Sequence, residues 1–243
     1  MIIKNRMALS SPTTIGAVLY TIPFIIIALH SLNRYLKDRK NSEKKHVFYA
    51  FLCFSVAFTS SFIAYALVLP DMSRERDILV TFLFKLFDVV NMMGVFWLFV
   101  FLSDFMEKIK KYLPYVIIHL ALTCIVIAVM PFDVKIDGAN YIRERAELTS
   151  LSILFFWLLY WGIIAYQFWK HSGLMTKKIA IRRSRTMAVG GIIAVFAYIC
   201  AILSNVVSSA ILVYSAVFCG IFAGVVFYAG FIAPERLRRI WNK

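Results

Sequence analysis

Residues 78–102 read ILVTFLFKLFDVVNMMGVFWLFVFL, 25 consecutive positions at which only Lys85, Asp88 and Asn91 are strongly polar. A helix rises about 1.5 Å per residue and a bilayer's hydrocarbon core is about 30 Å thick, so roughly 20 apolar residues cross it. A helix this apolar on all sides belongs in lipid, and the run is taken as a membrane span. Working outward, six more runs of similar character fall at residues 14–32, 47–69, 113–130, 148–169, 187–207 and 209–232. Seven spans consume nearly all of the 243 residues, leaving no room for a soluble catalytic domain. The expected fold is all-α: a polytopic membrane protein with a seven-transmembrane helix bundle over residues 1–233 and a basic amphipathic tail over residues 234–243.

The connections orient this bundle. Of 27 basic residues, 19 fall in the first, third and fifth connections and the tail, 7 fall at the N-terminus and in the other connections, and Lys85 lies inside a span. Short loops rich in Lys and Arg stay cytoplasmic, so the N-terminus is expected outside and the C-terminus inside. Seven of the 13 acidic residues lie on the outer side, five on the inner side, and Asp88 is in the membrane. The outer face is thereby neutral, and the whole net charge of +14 sits on the inner face. In a soluble chain that balance would point to nucleic acid, but no nucleic-acid motif accompanies it. Here the charges edge an anionic cytoplasmic leaflet, an attraction worth about 1 kcal/mol per residue. The expected partner is the bilayer of the cell membrane, with anionic lipid at the cytoplasmic face.

Lys4 and Arg6 before the apolar run from Ile15 have the order of a signal peptide. No small-x-small cleavage pattern follows Ile27, and six basic residues follow the first span, so this helix is expected to be retained. Cys53, Cys124, Cys200 and Cys219 all fall in expected spans, and no pair has metal-site or redox spacing. His30, His46, His119 and His171 are scattered, so neither a metal centre nor a haem is expected. The chain has no HExxH, phosphate loop or dinucleotide glycine motif. We expect no enzymatic activity and no cofactor.

Any site should lie around the third span, because ionisable groups at depth are costly unless paired or watered and so face the bundle interior. Lys85 and Asp88 are three residues apart, within reach on one helix face. They are expected to be satisfied by each other or by polar groups such as Ser60, Tyr198 or Asn205, with Asn91 in the same cluster. Two roles stay open, a purely structural ion pair and a ligand or intramembrane polar site. Pro23 should kink the first span. The spacings Gly190/Ala194 and Ala216/Gly220/Gly224 should mark close helix packing within the bundle.

Seven helices with an outer N-terminus invite comparison with retinal proteins and G-protein-coupled receptors. The last span has no Lys for a chromophore and no Asn-Pro-x-x-Tyr, and the inner end of the third reads Ser103-Asp104-Phe105. The exit segment from Gly230 to Trp241, GFIAPERLRRIW, with the overall topology, resembles the seven-helix N-terminal sensor region of prokaryotic signalling proteins such as membrane histidine kinases and diguanylate cyclases. There a Pro, a basic Leu-Arg pattern and a Trp similarly follow the last span; the kinase or cyclase output has no counterpart here.

The resemblance implies a receptor-like sensor that passes an outer or intramembrane signal to a membrane or cytoplasmic protein partner. Arg236, Arg238, Arg239 and Trp241 are the candidate partner or lipid contacts. Residues 235–242 are expected to form a short interfacial helix, with Leu237, Ile240 and Trp241 on its apolar face. Two other functions stay open: a non-catalytic subunit of a larger membrane complex, and a small-solute or ion transporter or channel.

Overall fold

The computed structural model describes residues 12–68, 74–137, 140–207 and 209–242. In chain order its helices are α1 (Pro12–Lys37), α2 (Ser42–Leu67), α3 (Arg74–Phe105), the single turn α4 (Glu107–Lys110), α5 (Leu113–Val129), α6 (Glu147–Ser172), α7 (Lys178–Val207), α8 (Ala210–Ile232) and α9 (Glu235–Asn242). Between α5 and α6 lie two strands, β1 (Phe132–Asp137) and β2 (Asn140–Arg145), paired antiparallel from Phe132↔Arg145 to Asp137↔Asn140.

Among the described residues, six helices are long and apolar enough to cross a membrane: α1, α2, α3, α6, α7 and α8. This is a multi-pass membrane protein built as a helix bundle. The fourth expected span differs. It is a 17-residue helix, α5, which rises about 25 Å and so falls short of the hydrocarbon thickness.

Neighbours in sequence pack side by side, α1 on α2, α2 on α3, α6 on α7 and α7 on α8, and α8 returns to α1 to close the ring. Helix α3 also touches α5 and α6, and its apolar window is 61% buried against 17–44% for the other five. The helix carrying the polar trio is therefore the most central. Outward faces keep large apolar side chains exposed, among them Val129, Ile211 and Phe218, as a lipid-facing surface requires.

Helices gain nothing from hydrophobic exclusion between them in lipid, so association rests on close packing. A column of rings supplies it: Phe51 meets Phe231 edge-on at 4.7 Å, and Trp161 stacks on both Phe54 and Phe227. Small residues let these rings in. A Cβ on Gly94 would come within 2.5 Å of Phe54, and one on Gly190 within 2.9 Å of Phe227. Gly224 faces Pro23 just as closely, so the small-residue face of α8 is used inside the bundle, where α1 crosses it.

The caps explain the helix ends. Asn41, extended at φ −82°, accepts the Lys44 amide with its side chain at 3.0 Å and opens α2. Helix α8 ends on Ala233, whose φ of 48° is left-handed, and Pro234 follows, so the chain turns before α9.

The hairpin adds a β element to the expected all-α fold. Its strands read FDVKID and NYIRER, and the strict apolar–polar alternation of the first is a strand pattern. It lies across one end of the bundle, β1 against α3 and β2 against α1 and α7. Phe132 stacks on Phe84 at 5.7 Å, and Phe84 meets Tyr65 at 4.9 Å. The opposite end carries Arg34, Lys44, Lys110 and Arg183 and is called the basic end below.

Candidate functional site

Asp88 projects from the middle of α3 and is fully buried. Its partner is Arg145, the last residue of β2 and 57 positions away in sequence: Arg145 Nη2 donates to Oδ1 at 2.8 Å and Nε to Oδ2 at 2.9 Å. Both side chains are nearly inaccessible, at 1% and 4%. The Arg145 guanidinium also sits 5.6 Å over the Phe132 ring. A planar fork meets a carboxylate bidentately, so the hairpin is pinned to the membrane interior through one desolvated pair.

This corrects the expected Lys85–Asp88 pairing. Lys85 Nζ instead donates to the carbonyls of Ala128 and Met130, at 3.1 and 3.0 Å. These carbonyls close α5, where helical acceptors lack intrahelical donors and the helix dipole favours a cation. Lys85 thus joins α3 to α5, and three-residue spacing on one helix was not enough to bring it to Asp88.

One turn beyond Asp88, Asn91 is also fully buried. Its Oδ1 accepts the Tyr198 hydroxyl at 2.7 Å across to α7, and the Tyr198 ring stacks on Trp157 of α6 at 3.9 Å. Asn91 and Tyr198, both named from sequence, therefore meet, but with each other rather than with the charges. Ser60 stays local and donates to Ala57 O of its own helix at 2.7 Å. The side chain of Asn205 lies outside the described residues.

Next to this network is a cavity of about 110 Å³. All six long helices line it, through Tyr20 and Phe24, Phe54 and Phe58, Phe87, Trp157 and Trp161, Tyr198, and Gly220 and Phe227, and the hairpin contributes Arg145. That is smaller than the cavities of about 150 Å³ that hold a benzene ring, so the space suits only a compact molecule. Two indoles stand on its polar edge: the Trp161 N–H is directed to the Tyr198 hydroxyl, whereas the Trp157 N–H is buried without a hydrogen-bond partner among the described residues. An orphaned buried donor costs about 1–3 kcal/mol. A bound oxygen acceptor would relieve that cost.

At the basic end, α9 occupies the residues expected to form the tail helix. Arg238 donates to the carbonyls of Ile232 and Ala233, and Arg182 to Ile240 O at 3.1 Å. Arg183 of α7 donates to Gly230 O at 2.9 Å and Phe231 O at 2.7 Å. Arg183 and Arg238 satisfy the carbonyls that end α8, and Arg182 holds α9, which together fix where the tail leaves the bundle. Arg236 is exposed, Trp241 is half-buried, and the Arg239–Glu235 contact of 3.9 Å lies in open solvent.

Sequence reasoning counted Arg145 only as an outer-loop charge. The available signal was its company: Arg143 and Arg145 are basic residues on the side where positive charge is scarce, just before a span. His46, counted as a loop histidine, holds Asp104 at 2.7 Å and stacks on Trp97, which ties α2 to α3 near the basic end. His119 meets the Tyr160 hydroxyl at 3.1 Å. Among the described residues no three potential metal ligands converge. Compared with known protein families and with curated proteins, the chain matches none, so function is argued from the site alone.

Proposed function

We propose that this chain is a seven-helix membrane sensor, with its N-terminus outside and its C-terminus in the cytoplasm, and without enzymatic activity of its own. Helix α5 serves as the remaining span. Its exposed Ile117, Ile118, Leu122 and Ile125 support a lipid-facing role, and a short span is accommodated by local thinning of the bilayer. The 19-to-7 division of basic residues supports the orientation.

The observation that carries the sensor function is the cavity beneath the hairpin, lined by every long helix and bordered by the Trp157 indole donor, which has no partner among the described residues. Its ligand is a compact, largely apolar molecule bearing an acceptor oxygen. Such a ligand contacts Arg145 and Tyr198 at once, so occupancy biases how the hairpin and α7 sit on α3. Helix α7 also carries Arg183, and its partner carbonyls end α8. Rigid helices connect the cavity to the tail, which presents the difference to a cytoplasmic partner.

Purification in mild detergent followed by native mass spectrometry tests this. The expected result is the chain alone carrying a small molecule, with occupancy reduced in Trp157→Ala. An empty chain inside a stable multi-protein assembly would overturn the sensor in favour of an accessory subunit, and uptake of a solute into liposomes would favour a carrier. Cysteines placed at Asn140 and Ser42 should label from outside and inside respectively; external labelling at Ser42 would reverse the orientation.

A further inference from the structure

A second cavity, about 280 Å³, lies at the basic end of the bundle, away from the site above. His30, Arg34, Lys44 and Arg183 line it, with Glu43 as its one carboxylate. Arg34 has no ion-pair or hydrogen-bond partner among the described residues, and Arg34 and Arg238 lie within electrostatic reach of Arg183. Lys44 is held by Asp38 at 2.7 Å. Arg183 spends Nε and Nη2 on the carbonyls of Gly230 and Phe231 and keeps Nη1 without a protein partner among the described residues. Phe105 and Phe231 add apolar lining.

Ordinary inner-loop charge is spread over a surface, each cation in water. Here the cations converge on a recess, and one of them is oriented by two backbone carbonyls before any ligand arrives. Guanidinium and ammonium groups lining one recess together with apolar side chains match a group with several anionic oxygens, because each donor finds its own acceptor. We infer that this cavity binds a phosphate group, held by Arg34, Lys44 and Arg183, with the remainder of the molecule lying along Phe105 and Phe231. The phosphate belongs either to an anionic lipid headgroup or to a free phosphorylated molecule, and the chemistry of recognition is the same. Because Arg183 also anchors the end of α8, the site adjoins the exit of the tail, and it stands independently of what fills the cavity under the hairpin.

The test uses the full chain in maltoside detergent, titrated with short-chain phosphatidylglycerol, with diacylglycerol of the same chains, and with inorganic phosphate against chloride at constant ionic strength. Binding is read by native mass spectrometry and by the shift in thermal midpoint. Wild type should bind phosphatidylglycerol and not diacylglycerol, and Arg34→Gln should weaken that binding about tenfold, as loss of one charge-assisted hydrogen bond does. Arg34 is exposed, so the variant keeps the fold; Lys44→Gln is the second variant and should show the same direction. Lys110→Gln removes a charge from the same end outside the cavity and should bind as wild type does. Stabilisation by phosphatidylglycerol alone assigns the site to a lipid headgroup. Stabilisation by inorganic phosphate as well, lost in Arg34→Gln, assigns it to free phosphorylated molecules. Equal binding by Arg34→Gln and wild type, or an equal loss in Lys110→Gln, would overturn the site.

Discussion

At the hairpin end of this bundle one guanidinium meets one carboxylate deep among helices, while at the basic end guanidiniums meet backbone carbonyls at the rim. Both arrangements join segments far apart in sequence, yet they respond differently to change. Asp88 and Arg145 have each given up water to pair with the other, so removing one leaves the other's charge without that partner. Arg183 and Arg238 remain charged whether or not they hold the end of α8, and water or headgroups can replace their carbonyls. The hairpin end is built to be all-or-none, and the basic end to be adjustable.

The largest break in this contrast comes from Asp88→Ala, which leaves the Arg145 guanidinium buried without its counter-charge. A loss of about 3–5 kcal/mol is expected, read as a lowered unfolding midpoint in detergent. Asp88→Leu combined with Arg145→Met should be far milder, since no charge is then left stranded. A single variant as stable as its parent would remove the hairpin's anchor from the account. If the double variant folds but no longer retains the copurified molecule, the pair serves recognition as well as architecture.

Tyr198→Phe sharpens the comparison at smaller cost. It removes the only side-chain hydrogen bond made by buried Asn91 among the described residues, and about 1–3 kcal/mol should be lost. Ligand occupancy should fall too, because the Tyr198 ring lines the same cavity. The smallest effect belongs to the tail: Arg239→Ala breaks only an exposed contact of 3.9 Å, and such pairs contribute little. Its unfolding midpoint should match that of wild type, and a clear drop would mean that α9 is docked more firmly than its exposure indicates.

Much of this was legible before any coordinates. Asp88 and Asn91 stood out as polar interruptions of an apolar run, and the cost of such groups in lipid placed them inside the bundle, where they are. Tyr198 is expected beside Lys85 or Asp88, and its hydroxyl bonds Asn91 instead. Pro234 marked the end of the last span, and a helix follows it at Glu235–Asn242. The spacing puts Lys85 within reach of Asp88 but does not choose its partner; the end of α5 offers two carbonyls together. The fourth run is a shorter helix than the other six, 17 residues where even the last has 23, a difference that hydropathy averages over.

By itself the sequence determined that the chain is a helical membrane protein, where its long apolar helices lie, and which polar groups must hide inside them. Those properties are sums over neighbouring residues, and lipid enforces them one helix at a time. Only the tertiary structure decided that the Arg145 side chain, at the end of β2, reaches Asp88, that six helices and a hairpin line a cavity bordered by the Trp157 indole donor, and that Arg183 closes α8. Each of these depends on which segments meet across the bundle, and packing between helices far apart in sequence settles that.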